Sequence, residues 1–588
     1  MLHYAITAIP ERHQWHISLT YRREEKSSLH LLQMANWTPG SYMVRDFSRH
    51  VMQVQAACNG QPAAVQSIDK NTWRLPDSAG EWKIDYIVYA NDLSCRASLL
   101  DNERGFFDGA CLFLTDPARR QEACEITLHL PDAWHIQTTL PQQSRRVFTA
   151  QNYAELIDHP FEMGAQIEVL HFEAHGIPHR IALSGHYPDF DRERLIADVK
   201  TICAYEIALF KQPAPFSEYL FLLHLGDKIY GGLEHISSTA LHADRWALPA
   251  HDAGREPDAG REPDAAYTEL LGLMAHEYFH AWNVKSIKPT KFQPYDLNAE
   301  VYTEQLWAYE GITSYYDDLI LVRSGVIGIE NYLTLLAKNL TRVQRTGGRQ
   351  YQTLAQSSFA AWHKYYKQDE NSTNAIVSYY QQGAIVALCL DLYIRRQSPH
   401  SLDSIMQQLY ARYRAIGKGT DEGQWQQLAQ EFTQLDLHDF FQRALYSTED
   451  LPIAECLKQA GLALHWLPAP ASETGSCGTE APPAVQAACD VGGRFTQQAD
   501  GALITHVFNG GAVERAGLKP KDKIIAVNGF ACRDLAAQLL TRIGDEHQVH
   551  YFRDGMLHTA AVQVQAALLQ TAYLHIVSPD LLAAWLYG

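Results

Sequence analysis

The stretch that most constrains this chain is MAHEYFHAWN, Met274 to Asn283. It contains His-Glu-x-x-His, and such a pair of histidines is useful only if the segment is helical. On a helix, residues four apart share a face, so His276 and His280 project together and their imidazoles can reach one ion. Glu277 stands beside them. A zinc ion lowers the pKa of its water towards neutrality, and a neighbouring carboxylate can take that proton. The flanking TELLGLMAHEYFHAWNV carries no proline and no β-branched crowding ahead of the motif, which suits a helix. The chain has 27 histidines, so chance alone gives roughly 0.07 matches to the pattern. A third ligand has to decide.

Downstream runs TEQLWAYEGITSYYDDLIL, with two candidates, Glu304 and Glu310. They do not share a helix face. Glu310 lies among Trp307, Tyr309, Ile312, Tyr315 and Tyr316, where a buried carboxylate needs a partner that a cation supplies. Glu304 has polar neighbours and reads as a solvated surface residue. Two histidines and one carboxylate leave a coordination position open for water, the arrangement of a catalytic zinc.

The rest of the chain sets the frame. Its 588 residues suggest about three or four domains. The formal net charge of -18 argues against a nucleic-acid partner and gives no basic footing on an anionic membrane. Ten cysteines without a C-x-x-C pair read as small apolar residues of a reduced compartment, although Cys477 and Cys489 both fall in a linker and can in principle pair. The N-terminal MLHYAITAIPERHQWHISLTYR lacks the pattern of a signal peptide, and no apolar run is long enough to span a bilayer. The expected location is cytoplasmic.

Along the first part, apolar and polar residues alternate with a period of two, as in HQWHISLTYR, where Trp15, Ile17, Leu19 and Tyr21 share one face. HVMQVQAACNG, EWKIDYIVYA, ACEITLHL and HIQTTL repeat the pattern, which predicts a β-sandwich. From Asp191 to Lys211 the spacing turns helical, a buried strand follows near Phe216 to Gly226, and helices then dominate to about residue 450. Two tandem DAGREP units from Asp252 to Pro263 read as a duplication in an exposed loop. The Pro- and Ala-rich Pro468 to Ala488 reads as a linker or long loop. The expected architecture is multidomain α+β: an N-terminal β-sandwich over residues 1–170, a zinc peptidase domain of α/β plus helical character over 171–455, and a small strand-rich module over 456–588.

These segments together carry a family resemblance. HEYFHAWNVK and LWAYEGITSYYDDL resemble the zinc aminopeptidases with a thermolysin-like catalytic domain, and more narrowly the glycyl aminopeptidase family, which commonly carries a PDZ domain. NWTPGSYMVRDFSRH (Asn36 to His50), ELIDHPFEMG (Glu155 to Gly164), YGGLEHISST (Tyr230 to Thr239) and VSYYQQGAIVALCLDLYIR (Val377 to Arg395) fit the same family in the same order. The resemblance implies one zinc ion per chain, held by His276, His280 and Glu310, with Glu277 as general base. It implies that Glu234, after Gly231 and Gly232, binds the substrate's free α-amine. An ammonium in a dry cleft needs such a carboxylate, and two glycines permit close approach of another backbone. It implies that Tyr380, three residues before Gly383, donates its hydroxyl to the developing oxyanion; Tyr379 is the competing choice, and a packed core aromatic is the alternative for Tyr380.

Val491 to Ala566 resembles a PDZ domain, with Gly493-Arg494-Phe495 opening a strand, then GALITHV, AVERAGL and KDKIIAVNG. Such modules bind extended peptides by strand addition, so a peptide C-terminus is a candidate partner there. A cramped groove would make the module structural instead. The expected activity is removal of N-terminal residues from peptides, with small residues such as Gly or Ala preferred by family resemblance. The rivals are a zinc endopeptidase and a peptide-binding scaffold with an idle metal site. Ile236, where the family often has Arg, and NVKSIKP, where it often has NVKRIRP, bear on that preference. The aromatic Trp37–Tyr42 loop serves either as a cleft wall or as a hydrophobic plug.

Overall fold

The computed structural model describes residues 1–24, 29–251, 262–468, 474–482 and 487–588. Most of the DAGREP duplication, and part of the Pro468–Ala488 stretch, lie outside the described residues. Contacts divide the chain into two compact units, Met1–Tyr302 with Met406–Asp421, and Thr303–Ile405 with Glu422–Gly588.

In the first unit, the alternation in HQWHISLTYR becomes the strand Gln14–Arg23, with Trp15, Ile17, Leu19 and Tyr21 buried and the residues between them more exposed. This strand is central to an eight-stranded sheet, flanked by Leu2–Ile9 and Gly80–Tyr89. Its register against Gly80–Tyr89 pairs Ile17 with Tyr86 and Tyr21 with Trp82, so the apolar residues of both strands share a face. A four-stranded sheet and a three-stranded sheet accompany it, which makes the N-terminal region a multi-sheet β domain. Within the four-stranded sheet, Arg104 meets Glu162 through two hydrogen bonds, Nε to Oε1 at 2.6 Å and Nη2 to Oε2 at 2.8 Å. Both side chains are buried.

The loop after Gln33 leaves this scaffold and is anchored elsewhere. Trp37, fully buried, donates its indole N–H to the carbonyls of Asp296 and Ala299 at 2.8 and 3.0 Å. Tyr42 stacks on Phe292, with ring centroids 6.0 Å apart.

A five-stranded sheet follows, in the order Glu168–Ala174, Ile177–Gly185, Tyr219–Gly226, Ser238–Asp244, Gly231–Glu234. Its middle three strands run parallel. Tyr219–Gly226 is buried along nearly its whole length, as a parallel strand covered on both faces must be. Gly231–Glu234 is antiparallel to Ser238–Asp244 and forms the sheet's edge. The helix Arg192–Leu209 starts at Asp191, whose side chain accepts from Arg194 N.

The second unit holds helices including Ile312–Arg323, Ile329–Arg345 and Gln381–Gln397, then the C-terminal module. That module is a six-stranded sheet with Gly493–Gln498 at one edge and Met556–Gln563 at the other, around a core that includes Ile504, Val513, Ile524, Leu535 and Val549. The AVERAGL segment supplies the short helix Ala512–Arg515. All ten cysteines are free, Cys477 and Cys489 included. Among the described residues, no helix is long and apolar enough to cross a membrane.

Removing one partner of a buried ion pair strands the other charge, at a cost of about 3–5 kcal/mol. Glu162→Ala is expected to lower the unfolding free energy by that amount, and Arg104→Met/Glu162→Met to recover most of it. Chemical denaturation of the three proteins measures this.

Candidate active site

The His-Glu-x-x-His segment closes the helix Ala265–Phe279. Asp264 caps its start by accepting from Tyr267 N at 2.9 Å. Tyr267 in turn donates its hydroxyl to Asp198, which ties the helix to its neighbour Arg192–Leu209. His280 sits at the C-cap and keeps right-handed helical angles, so it stays on the face of His276. The two Nε2 atoms are 3.1 Å apart. The Nδ1 of His280 lies 2.7 Å from the carbonyl of Asn283, which assigns the proton to Nδ1 and leaves the Nε2 lone pair directed at His276. Two nitrogens bound to one tetrahedral zinc at about 2.0–2.1 Å lie roughly 3.3 Å from each other. The donor pair therefore fits a shared ion.

Two carboxylates crowd the same place. Ligand atoms of Glu234, Glu277 and His280 all lie within 4.8 Å of one another, and all three residues are buried. Oε1 of Glu234 and Oε2 of Glu277 are buried without a hydrogen-bond partner among the described residues. Burial pushes the Glu277 carboxyl up to about 7, with the charge of Glu234 adding to the rise and His276, His280 and Arg96 opposing it. Orphaned acidic oxygens beside converging imidazoles are the chemistry of a cation site.

Glycine makes this crowding possible. A Cβ on Gly232, in the edge strand, would overlap the Glu277 carboxylate. Gly40, from the anchored N-terminal loop, lies against Glu234, where a Cβ would come within 2.5 Å of both carboxylate oxygens. Gly40 also has φ +91°, a conformation that suits glycine. The Trp37–Tyr42 loop is thus pinned by Trp37 and lies against Glu234 at Gly40.

Behind Glu234 is a network that motif reading passed over. Lys285 Nζ is 2.5 Å from Asp158 Oδ1, and His235 Nδ1 is 3.3 Å from the same oxygen. Burial opposes ionisation of Asp158, yet Lys285, then His235, hold its carboxyl well below the usual range. Lys285 is likewise raised despite burial, by Asp158 first and with Glu234 contributing. The signal was present in the sequence, since HPFEMG follows Asp158 and Lys285 follows HAWNV. Only the fold joins them. Arg96 was also missed: its Nη2 donates to the carbonyl of Gly232 at 2.5 Å.

Glu310 and Tyr380 belong to the second unit. Glu310, 2% exposed, sits in a π-helical turn, Trp307–Gly311, that leads into the helix Ile312–Arg323. Such turns often occur at functional sites. Glu304 is exposed. A Cβ on Gly311 would lie 2.6 Å from the Cα of Gly383, so two helices meet there backbone to backbone. Tyr380 stands at the start of the second of these, Gln381–Gln397. Its hydroxyl is 2.9 Å from that of Tyr366. Burial, then the charge of Glu310, raises the Tyr380 phenol well above its ordinary value and keeps it protonated as a donor. Tyr379 is fully buried.

Gly232→Ala is expected to displace the Glu277 carboxylate and lower kcat by at least about tenfold, with Tm reduced by only a few degrees. Gly40→Ala is expected to act on Glu234 and raise KM. Steady-state kinetics beside thermal melts separate these effects from misfolding.

Comparison with known proteins gives concordant results. A family model for the Peptidase M61 N-terminal domain matches residues 3–165, one for M61 glycyl aminopeptidase matches 269–386, and one for the PDZ domain matches 489–564. The second span contains His276, Glu277, His280, Glu310 and Tyr380, whereas Glu234 lies between matched spans. No curated protein matches the chain. Among solved structures, an aminopeptidase N family protein from Idiomarina loihiensis is 36% identical with a TM-score of 0.92, covering 100% of both chains. An M1 zinc metallopeptidase from Deinococcus radiodurans, bound to a Tyr-Ser-Ala substrate, is 14% identical with a TM-score of 0.48, over 77% of this chain and 94% of that one. Identity of 36% over the full length, together with the three matched models, shows that the chain belongs to the M61 glycyl aminopeptidase family, and that it is a metallo-aminopeptidase with a PDZ domain.

Proposed function

We propose that the enzyme removes the N-terminal residue of peptides, with a zinc ion held by His276, His280 and Glu310. The observation that carries this reading is the pair of buried carboxylates, Glu234 and Glu277, with ligand atoms within 4.8 Å beside the imidazole of His280. One is suited to an ammonium and the other to a water. The ion, when bound, supplies Lewis-acid chemistry, acidifying a water and polarising the scissile carbonyl. Glu310 suits the third ligand position because it is a buried carboxylate among aromatic rings, within the span of the glycyl aminopeptidase model.

Each side chain then has a task. Glu234 binds the free α-amine through charge-assisted hydrogen bonds, which would set the first peptide bond beside Glu277 and limit cleavage to the chain end. Gly231 and Gly232, on the edge strand, offer backbone groups to an extended substrate. Glu277 takes a proton from the attacking water and returns it to the leaving amine, a cycle suited to a carboxyl raised to about 7. Tyr380, kept protonated, donates to the carbonyl oxygen as negative charge develops. Gly40, pressed on Glu234, walls the amine end and supports a preference for small N-terminal residues such as Gly or Ala. The PDZ domain's edge strand Gly493–Gln498 is the proposed seat of a peptide C-terminus.

Turnover of aminoacyl p-nitroanilides tests the reading. A chelator is expected to abolish hydrolysis and added zinc to restore it. Glu277→Gln is expected to retain zinc while kcat falls by about 10²–10⁴. Glu234→Ala is expected to lose about tenfold to a hundredfold in kcat/KM, the worth of hydrogen bonds to a charged group. Cleavage of an N-acetylated peptide as fast as its free-amine twin, unaffected by Glu234→Ala, would sink the exopeptidase claim in favour of an endopeptidase.

A further inference from the structure

A cavity of about 820 Å³ lies in the second unit, and none of Glu310, Tyr366, Tyr379 or Tyr380 lines it. Part of its wall is the groove of the PDZ domain. Among the described residues the edge strand Gly493–Gln498 pairs only with Gly501–Val507, and Gly493, Arg494 and Phe495 line the cavity. Leu535 and Leu539 of the short helix Leu535–Leu539 line it as well. The groove is therefore roomy rather than cramped, with an apolar floor beside a strand edge.

The remaining wall comes from outside the PDZ domain, from the turn Gly347–Gln350 and from Asn374. Four arginines line the cavity, Arg345, Arg349, Arg494 and Arg533, against two aspartates, Asp490 and Asp534. In a chain of net charge -18, a basic lining runs against the average. It complements a carboxylate. The occupant that suits a strand edge, an apolar floor and a basic lining is an extended peptide ending in an apolar residue with its free α-carboxylate.

Asn374 connects this cavity to the catalytic segment. Its Nδ2 donates to the carbonyl of Val507 at 2.8 Å, and its Oδ1 accepts from Asn509 N at 3.2 Å. One side-chain amide thus clamps the main chain where the PDZ strand Gly501–Val507 ends. Asn374 belongs to the helical turn Ser372–Ala375, and the chain then runs through Ile376 and Val377 to Tyr380. That run has little freedom. Gly348, in the cavity-side turn, has no room for a Cβ because the Ile376 backbone fills the place. Val377 N donates to Gln352 Oε1 at 2.8 Å, and the carbonyl of Val377 accepts from Ser357 Oγ at 2.5 Å. Two elements of the cavity wall, the Asn374 clamp and the Gly347–Gln350 turn, are therefore braced against the segment that delivers Tyr380.

We propose that a peptide C-terminus seated in this cavity acts as an effector of the aminopeptidase, changing turnover through Asn374 and the segment that carries Tyr380. The inference rests on the catalytic role assigned to Tyr380 above. A group that acts only as charge develops on the substrate governs kcat and leaves substrate binding alone. The effector is therefore expected to change kcat while KM stays in place. Coupling of this kind is typically worth fivefold or more.

The test uses the full-length, zinc-loaded enzyme and glycine p-nitroanilide. The effector probe is an acetylated pentapeptide, acetyl-Gly-Ser-Gly-Ser-Val, which lacks the α-amine that a substrate needs. Its C-terminal amide is the control, and a fluorescein-labelled version reports binding by anisotropy. The acid is expected to bind, to change kcat about fivefold or more and to leave KM within about twofold. The amide is expected to bind at least about tenfold more weakly, as loss of a charge-assisted contact implies. Asn374→Ala is expected to retain peptide binding and lose the kcat response. If that variant does not fold, Asn374→Asp, which keeps the acceptor and removes the donor, takes its place. Binding with unchanged kcat overturns the coupling and leaves the peptide site standing. Absence of binding overturns both. A kcat response undiminished in both Asn374 variants overturns the route through Asn374. Turnover without effector tests the aminopeptidase reading separately.

Discussion

The site is organised by the repulsion between two buried carboxylates. Glu234 and Glu277 have atoms within 4.8 Å of each other, a separation at which like charges repel by about 3–4 kcal/mol at an effective dielectric constant near 20. Each has an oxygen without a hydrogen bond among the described residues. Such a pair is relieved by protonation of one carboxyl, as the rise of Glu277 to about 7 reflects, or by positive charge at hand. Part of it is built in, since Arg96 acts on Glu277 and Lys285 lies in the field of Glu234. In the proposed reading the rest arrives as a metal ion on the histidine side and a substrate ammonium on the other. Selection of a free N-terminus is then a consequence of unsatisfied charge.

Crowding of this kind requires backbone without side chains. Gly232 makes room for Glu277, and Gly40 makes room for Glu234. In the second unit Gly311 and Gly383 let the turn that carries Glu310 approach the helix that begins at Tyr380. The N-terminal β domain takes part through Gly40. Its eight-stranded sheet is a rigid base, and the loop that leaves it is pinned by the indole of Trp37 to carbonyls at Asp296 and Ala299. The N-terminal domain thereby contributes backbone against the Glu234 carboxylate. The PDZ domain is held to the segment Ser372–Ala375 in a comparable way, through the side-chain amide of Asn374.

Local periodicity was legible wherever one rule of geometry sufficed. A period of two placed Trp15, Ile17, Leu19 and Tyr21 on the buried face of one strand. A separation of four put His276 and His280 on one helix face, and their Nε2 atoms are 3.1 Å apart. The aromatic surroundings of Glu310 foretold its burial, and the polar ones of Glu304 its exposure. The two glycines before Glu234 announced a close backbone approach, although the group that approaches Gly232 is the Glu277 carboxylate.

By itself, then, the sequence determined which residues share a strand or helix face, because those spacings follow from backbone geometry alone. It also carried the family pattern that makes the chain a metallo-aminopeptidase with a PDZ domain. Tertiary structure alone decided the contacts between distant segments: Gly40 on Glu234, Asp158 with Lys285, Gly311 on Gly383 and Asn374 on the PDZ strand end. It also decided the π-helical turn at Glu310, a distortion that leaves no periodic signature. Each of these depends on charges and volumes brought together across more than 60 residues of chain or on a local departure from regular geometry. No window of sequence holds both partners, so their energies exist only once the fold is made.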